Sequence, residues 1–122
     1  TTEARFEAGN ITVERLVALY PYENTLRALK LSGAQIRAHL EHTNRYWVVE
    51  RAADGSFTVR NDPSIPGYNY DVLQGLDYTV DLSRPVGRRI TKLERNGRPV
   101  ADTDSFTVAL NSYRASGGGG YD

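Results

Sequence analysis

The sequence predicts an α+β fold, with a mixed, mostly antiparallel sheet and two or three helices packed on it. Three observations carry that expectation. Two segments of the first half, 13–20 and 36–47, repeat apolar residues at helical spacing. Two segments of the second half, 76–82 and 106–111, alternate apolar and polar residues with period two, as strands with one wet face do. Finally, Asn96-Gly97, a dipeptide that tolerates the positive φ values of a type I′ turn, stands between two strand-like runs. The 122 residues, 39% hydrophobic and 25% charged, suit a single domain over 1–122 with a core of its own.

Taken in order, Thr12 can cap a first helix whose Val13, Leu16, Val17 and Tyr20 form one stripe, expected to be buried, and Pro21 stops it. From Asn24 to Leu31 the chain is strand-like, with Leu26 and Ala28 on one face and Leu29 and Leu31 on the other. That pattern predicts a strand covered on both sides and central in its sheet. Ser32-Gly33-Ala34-Gln35 forms a capping box, in which Ser32 and Gln35 each satisfy a free backbone donor. It opens a second helix along Ile36, Leu40, Thr43 and Trp47.

Between Val48 and Gly67 the pattern weakens: the runs flanking Asp54-Gly55 suit a hairpin or a long loop, and the stretch has the character of a variable insertion. A strand is expected at Tyr70-Asp71-Val72-Leu73, then a bend at Gln74-Gly75 and the alternating strand from Leu76 to Leu82. Arg84-Pro85-Val86-Gly87 breaks it, and Ile90 and Leu93 mark the strand that leads to Asn96-Gly97. The last strand turns Phe106, Val108 and Leu110 inward and runs straight into the glycines Gly117 to Gly120. A tyrosine beside a bare loop with exposed N–H groups suits a planar polar ligand. A flexible glycine tail at a chain end is the competing reading.

Composition excludes several function classes. Fifteen basic and fifteen acidic residues give zero net charge, so no whole-molecule field favours nucleic acid or an anionic membrane surface. No run approaches the ~18 apolar residues of a membrane span, and Thr1-Thr2-Glu3-Ala4-Arg5-Phe6 lacks the layout of a signal peptide. With no cysteine there is neither a disulfide framework nor thiolate chemistry. His39 and His42 share a helical face, but no third ligand falls at metal spacing. Ser112 and Ser116 lack a nucleophile elbow and a nearby base. The glycine run is no phosphate-binding fingerprint, because no helix follows it. Glu41, Glu50, Asp77 and Asp81 are candidates for paired carboxylates, and a solvated strand face accounts for the two aspartates better.

Four separated motifs then acquire a joint meaning. These are Tyr20-Pro21-Tyr22-Glu23-Asn24-Thr25-Leu26; Leu31-Ser32-Gly33-Ala34-Gln35 with Leu40-Glu41; Tyr68-Asn69-Tyr70-Asp71-Val72; and Asn111 to Tyr121. In that order they resemble the C-terminal substrate-binding domain of the 5'-nucleotidase family, over nearly the whole chain from Ala8. The first and last are most similar to the branch that hydrolyses 2',3'-cyclic nucleotides and 3'-nucleotides.

The resemblance implies a nucleoside or nucleotide ligand whose base is sandwiched between Tyr70 and Tyr113, with Tyr68 a rival for the first position. Asn69, Asn111, Ser112, Arg114, Gly117, Gly118 and Gly119 complete the implied substrate-binding set. It implies no catalytic residue, metal ligand or cofactor in this chain. Two divalent metal ions would belong to an N-terminal metallophosphatase domain of the same polypeptide, in the periplasm, secreted or attached to the cell wall. Members acting on 5'-nucleotides commonly carry Gly-Gly-Asp-Gly, whose Asp bonds the ribose hydroxyls, whereas Gly119 stands at that position here. The loss fits a substrate whose 2' and 3' oxygens carry the phosphate. The alternatives are the substrate domain of a 5'-nucleotidase or UDP-sugar hydrolase, or a free-standing module that binds a small ligand or a protein.

Overall fold

The computed structural model describes residues 8–19 and 22–121. Tyr20 and Pro21, expected to end the first helix, and the segment Thr1–Phe6 lie outside them. Helix α1 (Val13–Leu19) leads to strand β1 (Leu26–Ser32) and helix α2 (Gly33–Asn44), then the hairpin β2 (Trp47–Arg51) and β3 (Phe57–Asn61). A 3-10 turn at Gly67–Asn69 precedes β4 (Asp77–Val80), β5 (Ile90–Arg95) and the short β6 (Arg98–Pro99); β7 (Ser105–Asn111) and helix α3 (Ser112–Ala115) follow. The fold is α+β, as expected, with every described ladder antiparallel: β1 with β7, β2 with β3, and β4-β5-β6.

Helix α2 is the centre of the packing. Ile36 and Leu40 on its inner face meet Ile90 and Leu93 of β5 and Val100, while Leu31, Phe106 and Val108 of the β1–β7 ladder close over them. The capping box forms as read: the Gln35 N–H donates to Ser32 Oγ at 3.1 Å and the Ser32 N–H to Gln35 Oε1 at 2.8 Å. Two further free donors of this helix end, the N–H groups of Gly33 and Ala34, reach the carbonyls of Asp104 and Asp102. Such close contact requires glycine at 33, because a Cβ there would overlap the Ala101 carbonyl. The Asn96-Gly97 turn takes positive φ at both residues, 52° and 75°, as a type I′ connection requires.

Five expectations are corrected. Thr12 caps α1, accepting from the Arg15 N–H at 3.3 Å, but no residue of that helix is buried, and Val13 is 77% exposed. The apolar stripe exists, yet no described element covers it. β1 is not central; among the described residues it pairs with β7 alone and leaves Leu26 and Ala28 exposed, while Leu29 and Leu31 on the other face are half-buried and Leu31 packs on the core. Trp47 belongs to β2 rather than α2, whose end is set by Asn44 turning back to bond the Leu40 carbonyl. Residues 70–73 belong to no described strand; Thr43 Oγ1 serves the N–H and carbonyl of Asp71 instead. Finally, β7 does not run straight into the glycines, because Asn111 caps the intervening α3 by accepting from the Arg114 N–H at 2.8 Å. The open question over 48–67 resolves as a hairpin with Asp54-Gly55 at its turn.

Candidate functional site

Sequence brings together two segments that are far apart along the chain. The 3-10 turn delivers Tyr68, Asn69 and Tyr70, and α3 delivers Tyr113 and Arg114. Between them opens a cavity of about 1070 Å³, lined at this end by Tyr22, Asn24, Tyr68, Tyr70, Tyr113 and Arg114, and deeper by core residues such as Leu31, Leu73 and Val108. Tyr113 is 44% exposed and Tyr68 69% exposed, while Tyr70 is half-buried. The difference has a cause: the Tyr70 ring rests against Tyr46, 5.1 Å between centroids, and edge-on to Trp47 at 5.5 Å. Tyr70 is thus a fixed wall, and Tyr113 stands freer.

Of the other predicted residues, Asn111 and Arg114 line the cavity, whereas Asn69, Ser112, Gly117, Gly118 and Gly119 are not part of its lining. Asn111 lines it while capping α3, and Ser112 ties α3 to the chain before β1, its Oγ accepting from the Thr25 N–H at 3.1 Å. The glycines fold back on themselves: the N–H groups of Gly117, Gly118 and Gly120 donate to the carbonyls of Arg114, Tyr113 and Gly117. The Gly119 carbonyl accepts from His42 Nε2 at 3.2 Å and from Arg45. The loop is therefore an ordered turn docked on α2, with those three amides already used. Asn69 holds its Oδ1 buried and without a partner among the described residues.

Arg114 is the least expected member. It is only 7% exposed, and its guanidinium meets the Asp71 carboxylate side-on through two parallel bonds, Nε to Oδ2 at 2.7 Å and Nη2 to Oδ1 at 2.8 Å. It also donates to the carbonyls of Gly118 and Tyr68, and the Tyr121 ring covers it at 4.0 Å. His39 Nε2 approaches the same carboxylate at 3.0 Å, and Tyr121 lies over both His39 and His42, 4.3 and 4.2 Å between centroids. Burial pushes the His39 imidazole below its ordinary value, and the charge of Arg114 adds to that; Asp71 opposes both. Burial likewise raises the Tyr121 phenol. Asp71, His39, Tyr121, Tyr22 and Asn24 did not enter the sequence-predicted set, although all but His39 sit inside the quoted motifs.

A two-metal centre has no place among these side chains. The described residues contain no group of three or more His, Cys, Asp or Glu able to hold a metal ion. The two histidines are engaged as above, Glu41 accepts from the N–H groups of Arg89 and Ile90, Glu50 pairs with Arg60, and Asp81 accepts from Ser83.

The 3-10 turn and α3 thus border one cavity walled by Tyr22, Tyr68, Tyr70 and Tyr113. The chain belongs to the family described as the 5'-nucleotidase C-terminal domain, which matches residues 1–122. It is 32% identical to the trifunctional nucleotide phosphoesterase protein YfkN of Bacillus subtilis over 93% of this chain and 9% of that protein. It is also 32% identical to the 2',3'-cyclic-nucleotide 2'-phosphodiesterase/3'-nucleotidase of Salmonella typhimurium, over 92% of this chain and 19% of that one. A Staphylococcus aureus protein solved as a 5'-nucleotidase in complex with alpha-ketoglutarate superposes with a TM-score of 0.71 at 30% identity, over 92% of this chain and 22% of that one. The chain thus spans less than a quarter of each of these relatives.

Proposed function

We propose that this domain is the nucleobase-binding part of a larger metal-dependent hydrolase acting on 2',3'-cyclic nucleotides and 3'-nucleotides. The carrying observation is that Tyr70 and Tyr113, from segments far apart in sequence, line one cavity, with Tyr70 backed by Tyr46 and Trp47. A base slides between the two rings; stacking contributes about 1–3 kcal/mol per base and accepts any base. Asn69, Asn111, Ser112, Arg114 and the glycines Gly117, Gly118 and Gly119 form the surrounding shell. The names of the Salmonella and Bacillus relatives support this choice of substrate.

The chemistry is assigned to a metallophosphatase domain of the same polypeptide carrying two divalent ions, since the side chains here fit no such centre. Export from the cytoplasm belongs to the same proposal and is supported by relatives named as snake venom 5'-nucleotidases. A 5'-nucleotidase reading is favoured by the Staphylococcus aureus neighbour, and Gly119 counts against it because no side chain there can bond a free ribose diol.

The test is adenosine binding by titration calorimetry. Tyr70→Ala and Tyr113→Ala are each expected to weaken it by about tenfold. Unchanged affinity in both variants rejects the clamp. In the complete polypeptide, hydrolysis of 2',3'-cyclic AMP in preference to 5'-AMP separates the two substrate readings.

A further inference from the structure

We propose that the Asp71–Arg114 ion pair is the brace that sets the spacing and angle of the Tyr70 and Tyr113 rings, which makes both charged side chains positioning residues for the site. The proposal rests on the reading of that site as a base clamp. Its starting point is adjacency: Asp71 follows Tyr70 and Arg114 follows Tyr113. A bond between the charged residues therefore fixes the aromatic ones beside them.

The second observation is what else joins the two segments. Among the described residues, no backbone–backbone hydrogen bond links 68–71 to 112–121. Side chains make every polar link between them: Arg114 to the Asp71 carboxylate and the Tyr68 carbonyl, and the Tyr121 hydroxyl donating to the Asn69 carbonyl at 2.9 Å. Each end is itself anchored. Thr43 Oγ1 of α2 accepts from the Asp71 N–H at 2.6 Å, and Asn111 Oδ1 accepts from the Arg114 N–H. A planar guanidinium bonded to a carboxylate through two parallel bonds fixes direction as well as distance, which an ammonium at the same place does not. Arg114 borders the cavity, but its guanidinium lies under Tyr121 with Nε, Nη1 and Nη2 all donating to protein oxygens, so the arginine acts through the tyrosines rather than by bonding the ligand.

Two variants test this. The paired substitution Asp71→Asn with Arg114→Gln removes the ion pair without burying a lone charge, and Arg114→Lys keeps the charge but not the fork. Backbone amide exchange is followed at 68–71 and 117–120, with α2 as the internal reference. Adenosine affinity is measured in each variant, alone and combined with Tyr113→Ala. Both variants are expected to exchange about tenfold faster in the two segments with α2 still protected, and to bind adenosine about fivefold or more weakly. That loss should vanish in the Tyr113→Ala background, because the brace acts through that ring.

Wild-type exchange in both segments would overturn the brace, as would equal loss of protection in α2. Rescue by lysine, or an affinity loss that persists undiminished without Tyr113, would overturn the positioning role. If Tyr70→Ala and Tyr113→Ala leave adenosine binding intact, the base-clamp reading falls and the exchange data alone decide the brace.

Discussion

At Gly119 the backbone holds a φ of +79°, and a Cβ would overlap Arg114 Nη1 and come within 2.6 Å of Asn69 Oδ1. Gly119→Ala is therefore expected to cost about 1–3 kcal/mol, read from the urea midpoint, through left-handed strain and displacement of the guanidinium. A neutral outcome would show that the loop does not seat against Arg114. His39 gives a pH dependence. It faces Asp71, Arg114, His42 and Tyr121, and its folded pKa lies below the unfolded value of about 6.5. As pH falls, the unfolded chain takes up that proton first. The stability this residue contributes is complete above about pH 6.5 and is lost as pH falls toward and through its lowered folded pKa. His39→Gln should flatten the fall of the urea midpoint between about pH 7.5 and 5.5; an unchanged slope would place the acid sensitivity elsewhere. Little of this was legible in the sequence. A buried arginine needs a partner to be recognised, and Asp71 lies 43 residues away with no local pattern pointing to it. Tyr70 and Tyr113 were singled out by motif resemblance, since an aromatic at a strand end is ordinarily a core-rim residue.

Elements were legible where the local signal and the tertiary demand coincide. α2 has both: its cap is written in Ser32 and Gln35, and its apolar positions meet β5. Ser32→Ala should cost about 1 kcal/mol, because the Gln35 N–H loses its acceptor. An unshifted urea midpoint would mean that the Asp102 and Asp104 carbonyls alone hold that helix end. The hairpin turn at Asn96-Gly97 was legible for the same reason, since its conformation is a property of the dipeptide. Elements failed where only one signal was present. The α1 stripe has period without a described covering surface, and residues 70–73 have strand composition, but Thr43 of α2 takes the Asp71 N–H and carbonyl that a ladder would use. α3 is four residues long, too short for periodicity to register, and its one signal was Asn111 placed to cap it.

For the whole molecule, the proposed division between binding and chemistry can be measured. Hydrolysing a phosphate diester at neutral pH needs an activated water and compensation for charge growing on the phosphoryl oxygens, which a metal pair supplies by holding attacking and leaving oxygens together. Among the described residues no group of three or more His, Cys, Asp or Glu gathers to hold a metal ion, and the two serines at the ends of α3 are committed, Ser112 to Thr25 and Ser116 to the Ser112 carbonyl. The 122-residue chain is therefore expected to release no phosphate from 3'-AMP and not to open 2',3'-cyclic AMP with added Mn²⁺, Co²⁺ or Zn²⁺. The complete polypeptide should do both. There, Tyr113→Ala should raise KM by about tenfold and leave kcat near its wild-type value, because a ring stacked on the base holds substrate and transition state equally while the reacting phosphorus is elsewhere. A fall in kcat with KM unchanged would mean that Tyr113 aligns the phosphate as well as the base. Metal-dependent hydrolysis that co-purifies with the chain through two columns would put the chemistry in this domain and end the division of labour.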